Sequence, residues 1–269
     1  MNAVFYVINS RDRVSGTDSA FSYKLQGYEN KGWDKIALKK CSIPTSYYMV
    51  QSGKNTFTLT EENVNNATIT ITAGNYSRTQ FINTLQSALN TGSPGGYTYS
   101  VSYPSTTTSV DTGKITISCV GHTLQPKLTF INYMWEQMGF NANTTNTFSG
   151  GSLVSVNCIK LLKEDVLLIH CDKVQGDTRG GILAVILSNG QPYSSIIYED
   201  INAEKSARDL VNPDSGLINI YITNEDSELM DFNGLNCVLE IMIFRTSPII
   251  DILSRIDKLL TYSVLSANE

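Results

Sequence analysis

The sequence predicts a mainly β protein, a β-sandwich or jelly roll, and three observations predict it. About a dozen short segments rich in β-branched and aromatic residues succeed one another, several of them alternating apolar with polar positions. Between them stands turn chemistry: Gly180-Gly181, Asn189-Gly190, Asn212-Pro213-Asp214 and Asn233-Gly234. Helical patterns are few and short, which argues against layers of alternating strand and helix.

The strands can be taken in order. Ala3–Ile8, Ala20–Leu25 and Lys35–Tyr48 open the chain. The third is interrupted at Pro44, which has no N–H to give to a ladder and therefore marks an edge or a bend. Thr56–Thr60 and Ala67–Thr72 set Phe, Leu and Ile between threonines, the period-2 pattern of a half-buried strand. Tyr97–Tyr103 and Lys114–Cys119 repeat it on either side of a Ser/Thr-rich loop ending in Asp111-Thr112-Gly113. Further on come Leu153–Cys158, Val166–His170, Ile182–Leu187, Ser195–Tyr198, Leu217–Thr223 and Cys237–Phe244.

Three helices are legible. Ser77-Arg78-Thr79-Gln80 is a capping box, followed by an apolar stripe of Phe81, Leu85, Ala88 and Leu89 and a stop at Gly92. Ile131–Met138 predicts a shorter helix ended by Gly139. The last runs from Pro248 to about Tyr262, with Ser247 as its cap and Asp251 near its positive end. Its seam is Ile249, Ile252, Leu253, Ile256, Leu259 and Leu260. Each such side chain is worth roughly 1.5–3 kcal/mol when fully buried, so the seam must cover something. It is a candidate assembly interface with a neighbouring subunit or shell, the other option being a fold-back onto its own sandwich.

Composition sets limits. With 269 residues, 41% hydrophobic and a net charge of −5, the chain can bury a sizeable core and is not disordered. Charged residues make up only 17%, and a pI of about 5.1 speaks against direct nucleic-acid binding. Lys31, Lys35, Lys39 and Lys40, broken by Asp34 and apolar residues, read as a solvated strand face. No stretch is long and apolar enough for a membrane span, and Met1–Tyr6 has no secretion-signal character. The five cysteines, Cys41, Cys119, Cys158, Cys171 and Cys237, are expected to be reduced, buried thiols of a chain folded in the cytosol. The sequons at Asn66, Asn75 and Asn143 are then idle. Loop-like composition at 61–66 and 141–151 divides the chain into a β body of residues 1–66 and 150–246, an α+β insertion of 67–149, and a C-terminal helix and tail of 247–269.

Catalytic chemistry has little to work with. His170 and Cys171 are neighbours on a predicted strand and point to opposite faces, so they form no dyad. His122 reads as a loop residue, and no CxxC pair suggests zinc. Asn224–Glu228 lacks the spaced ligands and glycine of a calcium loop and reads as a hairpin turn. Neither a phosphate-binding GxxxxGK[ST] nor a GxSxG elbow is present, so no catalytic, cofactor or metal residue is assigned. Tyr47, Tyr48, Tyr97, Tyr99 and Tyr103 are either a partner or carbohydrate surface or, more in keeping with alternating strands, one face of the core and its rim.

The order of elements carries a resemblance. Val4–Ser10 is followed by Ile36–Pro44, then by Ile69–Ser77 with its Gly74-Asn75-Tyr76, running into the helix Phe81–Leu89. Gly113–Ile117 and Met138-Gly139-Phe140 complete the series. This series resembles the penton (minor capsid) proteins of virophages and polinton-like viruses, the mavirus-like ones most of all. The resemblance implies a single jelly roll standing at the icosahedral fivefold vertex as a homopentamer, beside double jelly-roll major capsid subunits. It implies a structural protein of the virion, made in the host cytoplasm, with no cofactor. Rings of identical neighbours would cover the edges and loop ends that a jelly roll exposes, and low charge with abundant Tyr, Asn, Ser and Thr suits such lateral contacts.

Two other readings stay open. One is a lectin-like or fibre-type module that binds a host surface, using the Tyr-rich loops with the inserted unit as its head. The other is a β-sandwich glycosidase, which needs two positioned carboxylates among scattered acidic residues.

Overall fold

The computed structural model describes residues 2–103, 111–131, 133–162, 164, 166–176, 179–188 and 191–246. The C-terminal helix expected at 247–269, with its seam, lies outside these residues, as does the Asn189-Gly190 turn. The chain begins with β1 (Asn2–Asn9), a 3-10 turn at Ser10–Asp12, β2 (Ser15–Gly16), β3 (Ala20–Lys24) and β4 (Lys35–Pro44). It continues with β5 (Thr56–Glu61), β6 (Asn65–Thr70), α1 (Arg78–Gly92), β7 (Thr98–Ser102), β8 (Thr116–Val120), β9 (Lys127–Phe130), β10 (Thr144–Thr147) and β11 (Ser152–Val154). Last come β12 (Val166–Cys171), β13 (Gly181–Leu187), β14 (Ser195–Glu199), β15 (Arg208–Asp209), β16 (Leu217–Thr223) and β17 (Val238–Arg245). The fold is mainly β, built of several antiparallel sheets, consistent with a β-sandwich.

Two compact units divide the chain: Met1–Tyr47 with Glu164–Glu269, and Tyr48–Lys163. In the first, one sheet has the order β1-β17-β4-β14, with β15 also on β4, and the other has β13-β12-β16-β3-β2. Setting aside the two-residue β2 and β15, eight strands remain, and their pairing follows one rule. The first pairs with the last (β1·β17), the second with the seventh (β3·β16), the third with the sixth (β4·β14) and the fourth with the fifth (β12·β13). The chain is thus one antiparallel ribbon going out and back. The additional pairings β17·β4 and β12·β16 join its sections edge to edge into the two sheets.

Alternation then decides the core. Ile36, Leu38 and Ile43 of β4 and Leu239, Ile241 and Ile243 of β17 share one buried cluster with Leu167, Ile169 and Cys171 of β12 and Ile218, Ile220 and Ile222 of β16. Residues two apart face the same side of a strand, so this cluster lies between the two sheets. Pro44 ends β4 opposite Ser195, where a missing N–H costs the ladder least. At the β4·β17 register shift Lys39 is the extra residue, and its ammonium donates to the carbonyls of Asp200 (2.6 Å) and Ile201 (3.3 Å). That anchors the β14–β15 connection, whose Ala203 covers Ala37, Met242 and Phe244 on the outer side of the sheet.

The second unit has sheets β10-β9-β5-β6 and β11-β8-β7, with α1 sharing their core. The capping box forms as read: Ser77 Oγ accepts from the Gln80 N–H (3.3 Å) while Gln80 Oε1 accepts from the Ser77 N–H (2.9 Å). Phe81, Leu85 and Leu89 are buried, with Ala88 packed beside them. Gly92 belongs to the helix instead of stopping it; a Cβ there would collide with Ile69 Cδ1, so close approach explains the glycine. Two polar side chains of α1 complete the free edge of β7: Asn90 pairs with both backbone groups of Tyr99, and Gln86 Oε1 accepts from the Val101 N–H.

Four expectations need correction. The units part at Tyr47/Tyr48 and Lys163/Glu164, not at 66/67 and 149/150. The 61–66 run is the turn of the β5–β6 hairpin, where Glu62 and Asn63 take positive φ (52° and 62°), so its polar composition marks a reversal within one unit. The 141–151 run contains β10, an edge strand of half-buried and exposed Thr and Asn paired with β9. Over its described residues Ile131–Met138 forms turns instead of a helix: Met134 is held at φ 66°, and the turns are closed by Met138 N–H to Met134 O and Phe140 N–H to Trp135 O.

Glu61 is the polar centre of the second unit. Fully buried, it accepts from Tyr99 OH (2.8 Å), Ser93 Oγ (2.7 Å) and the Gly95 N–H, tying the loop after α1 to β5 and β7. Glu61→Ala removes the acceptor of the buried Tyr99 hydroxyl and of the partly exposed Ser93 hydroxyl and Gly95 N–H, and should cost about 3 kcal/mol, and Tyr99→Phe about 2 kcal/mol. Denaturation followed by Trp135 fluorescence in a Trp33→Phe background measures both.

Candidate assembly surfaces

The structure distributes the singled-out residues without building a reactive cluster from them. Cys171 lies in the core between the sheets, whereas His170 lines a cleft on the outer side. His170 Nε2 stands 3.2 Å from Thr223 Oγ1, whose hydroxyl also lies 3.0 Å from Asn224 O. His170 Nδ1 is buried with no hydrogen-bond partner. His122 sits in a loop beside Tyr97, ring centroids 6.4 Å apart, with Nε2 3.1 Å from Gln125. Asn224–Glu228 is a closed turn, Asn224 N–H to Glu228 O at 2.9 Å and Glu228 N–H to Asn224 Oδ1 at 2.9 Å. Among the described residues no group of His, Cys, Asp and Glu is placed to hold a metal ion, and no helix is long and apolar enough to cross a membrane.

The basic cluster is spent on neighbours. Lys31 meets Glu29, Lys35 meets Asp209 (2.6 Å), Lys40 meets Glu199 (3.1 Å), and Lys39 holds the carbonyls already described. The tyrosines are mostly interior. Tyr47, Tyr97 and Tyr99 are buried, Tyr47 donating to Glu164 O (3.0 Å). Tyr103 carries the Arg78 guanidinium over its ring and hydrogen-bonds Asp111. They form no open aromatic platform of the kind a glycan-binding reading needs.

The outward side of the first unit is where the composition departs from a solvated sheet. Antiparallel sheets with one wet face usually alternate apolar-in with polar-out. β13, Gly-Ile-Leu-Ala-Val-Ile-Leu, is apolar on both faces: Leu183 and Ile186 are buried, while Ile182, Val185 and Leu187 are 38%, 51% and 74% exposed. Across to β12 the outward pairs are Val166–Leu187, Leu168–Val185 and His170–Ile182. Among the described residues β13 is an edge strand, hydrogen-bonded on one side only. At its start a cleft of about 480 Å³ is lined by Leu168, His170, Val174, Gly181, Ile182 and Arg208, among others. The guanidinium of Arg208 has no ion-pair partner among the described residues. The other sheet repeats the theme on its edges, with Phe5 and Val7 exposed on β1 and Ile197 exposed on β14. The periodicity that identified β13 as a strand could have revealed this, since a run with no polar position must show apolar side chains on both faces. The seam residues Ile249, Ile252, Leu253, Ile256, Leu259 and Leu260 lie outside the described residues.

No family model matches the sequence, and no curated protein matches it. Among solved structures, the chain is similar to the mavirus penton protein, with a TM-score of 0.49 and 8% identity over 90% of this chain and 99% of that one. At that level the likeness carries no argument about function.

The cysteines give a test. All five are free; Cys41, Cys119, Cys171 and Cys237 are buried, and Cys158, expected to be buried, is exposed. Burial pushes the thiols of Cys41 and Cys171 up to about 12 and that of Cys237 up to about 11. An unfolded thiol ionises near 8.5, so above that pH the unfolded chain has lost protons that the native one keeps, and stability falls as pH rises towards 11–12. The expected slope is up to about 1.4 kcal/mol per pH unit for each buried thiol, flat below pH 8, and shallower in Cys171→Ala. Denaturation midpoints across pH 7–10.5 measure it. At pH 8 a thiol reagent should find Cys158 alone in the native protein and all five cysteines after unfolding.

Proposed function

We propose that the chain is a structural capsid subunit, a single jelly roll of which five copies form the vertex of an icosahedral particle beside double jelly-roll major capsid subunits. The observation that carries this reading is the out-and-back ribbon of the first unit, in which strand pairing runs first-to-last through to fourth-with-fifth. A ribbon wrapped into two facing sheets is the jelly-roll pattern, common among capsid and lectin domains. Between these two the surface favours assembly. The tyrosines that a sugar-binding module would present are largely buried, while edge strands β1, β13 and β14 present Phe, Val, Ile and Leu. Edges of that kind are what closed rings of identical neighbours cover.

The resemblance of the element order to virophage and polinton-like penton proteins supports the same reading. In it, the second unit is an insertion between the third and fourth strands of the ribbon, β4 and β12. The seam from Ile249 to Leu260 contributes to contact with a neighbouring subunit. The protein acts without catalysis or cofactor, in the virion, after synthesis in the host cytoplasm.

Mass measurement in solution tests this. A pentamer of about 148 kDa, five chains of 29.6 kDa, is the expected species at micromolar concentration. A stable monomer or trimer retained on a glycan array would overturn the vertex reading in favour of a host-binding module.

A further inference from the structure

We propose that Asn233-Gly234 is a self-modification site gated by the fold. The native turn holds the pair unreactive; a chain that opens it converts Asn233 to aspartate or isoaspartate and loses the anchor that Asn233 makes to Ser46. The pair stands at the tip of a tight turn in the connection between β16 and β17. Asn233 and Gly234 both take positive φ, 51° and 79°, and the Leu235 N–H donates to Phe232 O (3.1 Å), the geometry of a type I′ turn. The turn is an anchor as well as a reversal. Phe232 is fully buried beside Tyr47, ring centroids 6.4 Å apart. Ser46 Oγ donates to Phe232 O (2.5 Å), and Asn233 Nδ2 donates back to Ser46 O (2.6 Å). The end of the β4 segment and the turn are thereby fastened to each other.

An asparagine followed by glycine cyclises readily, because no Cβ screens the glycine nitrogen. The Gly234 nitrogen loses its proton to water or hydroxide and attacks Asn233 Cγ. A C–N bond forms, the Cγ–Nδ2 bond breaks, and ammonia leaves with a proton taken from water. Water then opens the succinimide at one of its two carbonyls, giving aspartate or isoaspartate; nothing is oxidised or reduced. Asn233 is exposed, so water reaches it. What the native turn withholds is the geometry. The carboxamide must leave Ser46 to swing onto the Gly234 nitrogen. That N–H donates to Asp18 Oδ2 (3.1 Å), so its deprotonation sets an anionic nitrogen against a carboxylate. The Asn233 N–H is itself held by Asp231 Oδ1 (2.8 Å). The products cannot restore the anchor: aspartate turns an acceptor toward the Ser46 carbonyl in place of a donor, and isoaspartate adds a carbon to the backbone of the turn.

The full chain, incubated under reducing conditions at pH 8.5 both native and in concentrated urea, tests this by peptide mass at Asn233. Native conversion should be roughly thirtyfold slower than in the unfolded chain, the combined hold of two hydrogen bonds; equal rates overturn the gating. Asp18→Ala, which frees the Gly234 N–H, should speed the native reaction about fivefold, and an unchanged rate overturns the part given to Asp18. Asn233→Asp reads the consequence without waiting for the reaction. Its unfolded-to-folded ratio should rise about tenfold, seen as a lower urea midpoint at unchanged slope. An unchanged midpoint overturns the anchor. The wild-type comparison decides the gating by itself, whether or not either variant folds.

Discussion

The pairing of the first strand with the last governs the first unit. β1 and β17 are matched over eight positions, from Asn2 against Arg245 to Asn9 against Val238. Once the two ends lie side by side, every strand between them must go out and come back, which gives the antiparallel rule of the whole ribbon. The closure spans nearly the entire described chain, yet loop-closure entropy grows only as the logarithm of length, about 0.6 kcal/mol for each doubling. A complete second unit can therefore stand between β4 and β12 at little cost to the pairing of β1 with β17. Such distant pairings cost speed instead, since loops must close before the contacts that reward them exist.

The same closure determines where the surface is left unfinished. Two sheets cut from one ribbon have free edges, and among the described residues those at β1, β13 and β14 bear aliphatic or aromatic side chains instead of lysine, proline or a covering loop. Elsewhere the protein takes care over such groups. Asn90 and Gln86 finish the edge of β7, the Lys39 bulge holds a connection over Met242, and Glu61 gathers three donors in the second core. The contrast separates edges finished within the chain from edges that stand open among the described residues.

Much of this was legible from residue order, and the failures have physical causes. Period-2 alternation located the strands because one face of each is buried, and the Ser77–Gln80 capping box located α1 because its hydrogen bonds are local. Unit boundaries were not legible, since Asn-rich composition serves a hairpin reversal at Glu62-Asn63 as readily as it serves a linker. Ile131–Met138 has helical spacing, but Met134 takes a left-handed conformation that only the surrounding packing can impose. The outward apolar stripe was half visible: the sequence of β13 shows that both faces are apolar, but that β13 is an edge depends on pairing across the chain.

Apolar edges also constrain how the protein can behave alone. Each outward aliphatic is worth roughly 1.5–3 kcal/mol once fully buried, so covering Ile182, Val185 and Leu187 offers several kcal/mol per contact. With a net charge of only −5 there is modest electrostatic repulsion to keep copies of the chain apart. An exposed apolar edge strand with open hydrogen-bonding groups pairs readily with whatever strand it meets, which in a crowded cell means aggregation. Covering an edge strand is one of the ways proteins blunt it, and under the proposed capsid reading cover supplied by a neighbour makes that protection conditional on assembly. Under that reading the surface that would make a free subunit hazardous is the surface that makes the assembled one stable. A single charge on β13 would remove the hazard and, under that reading, the contact with it.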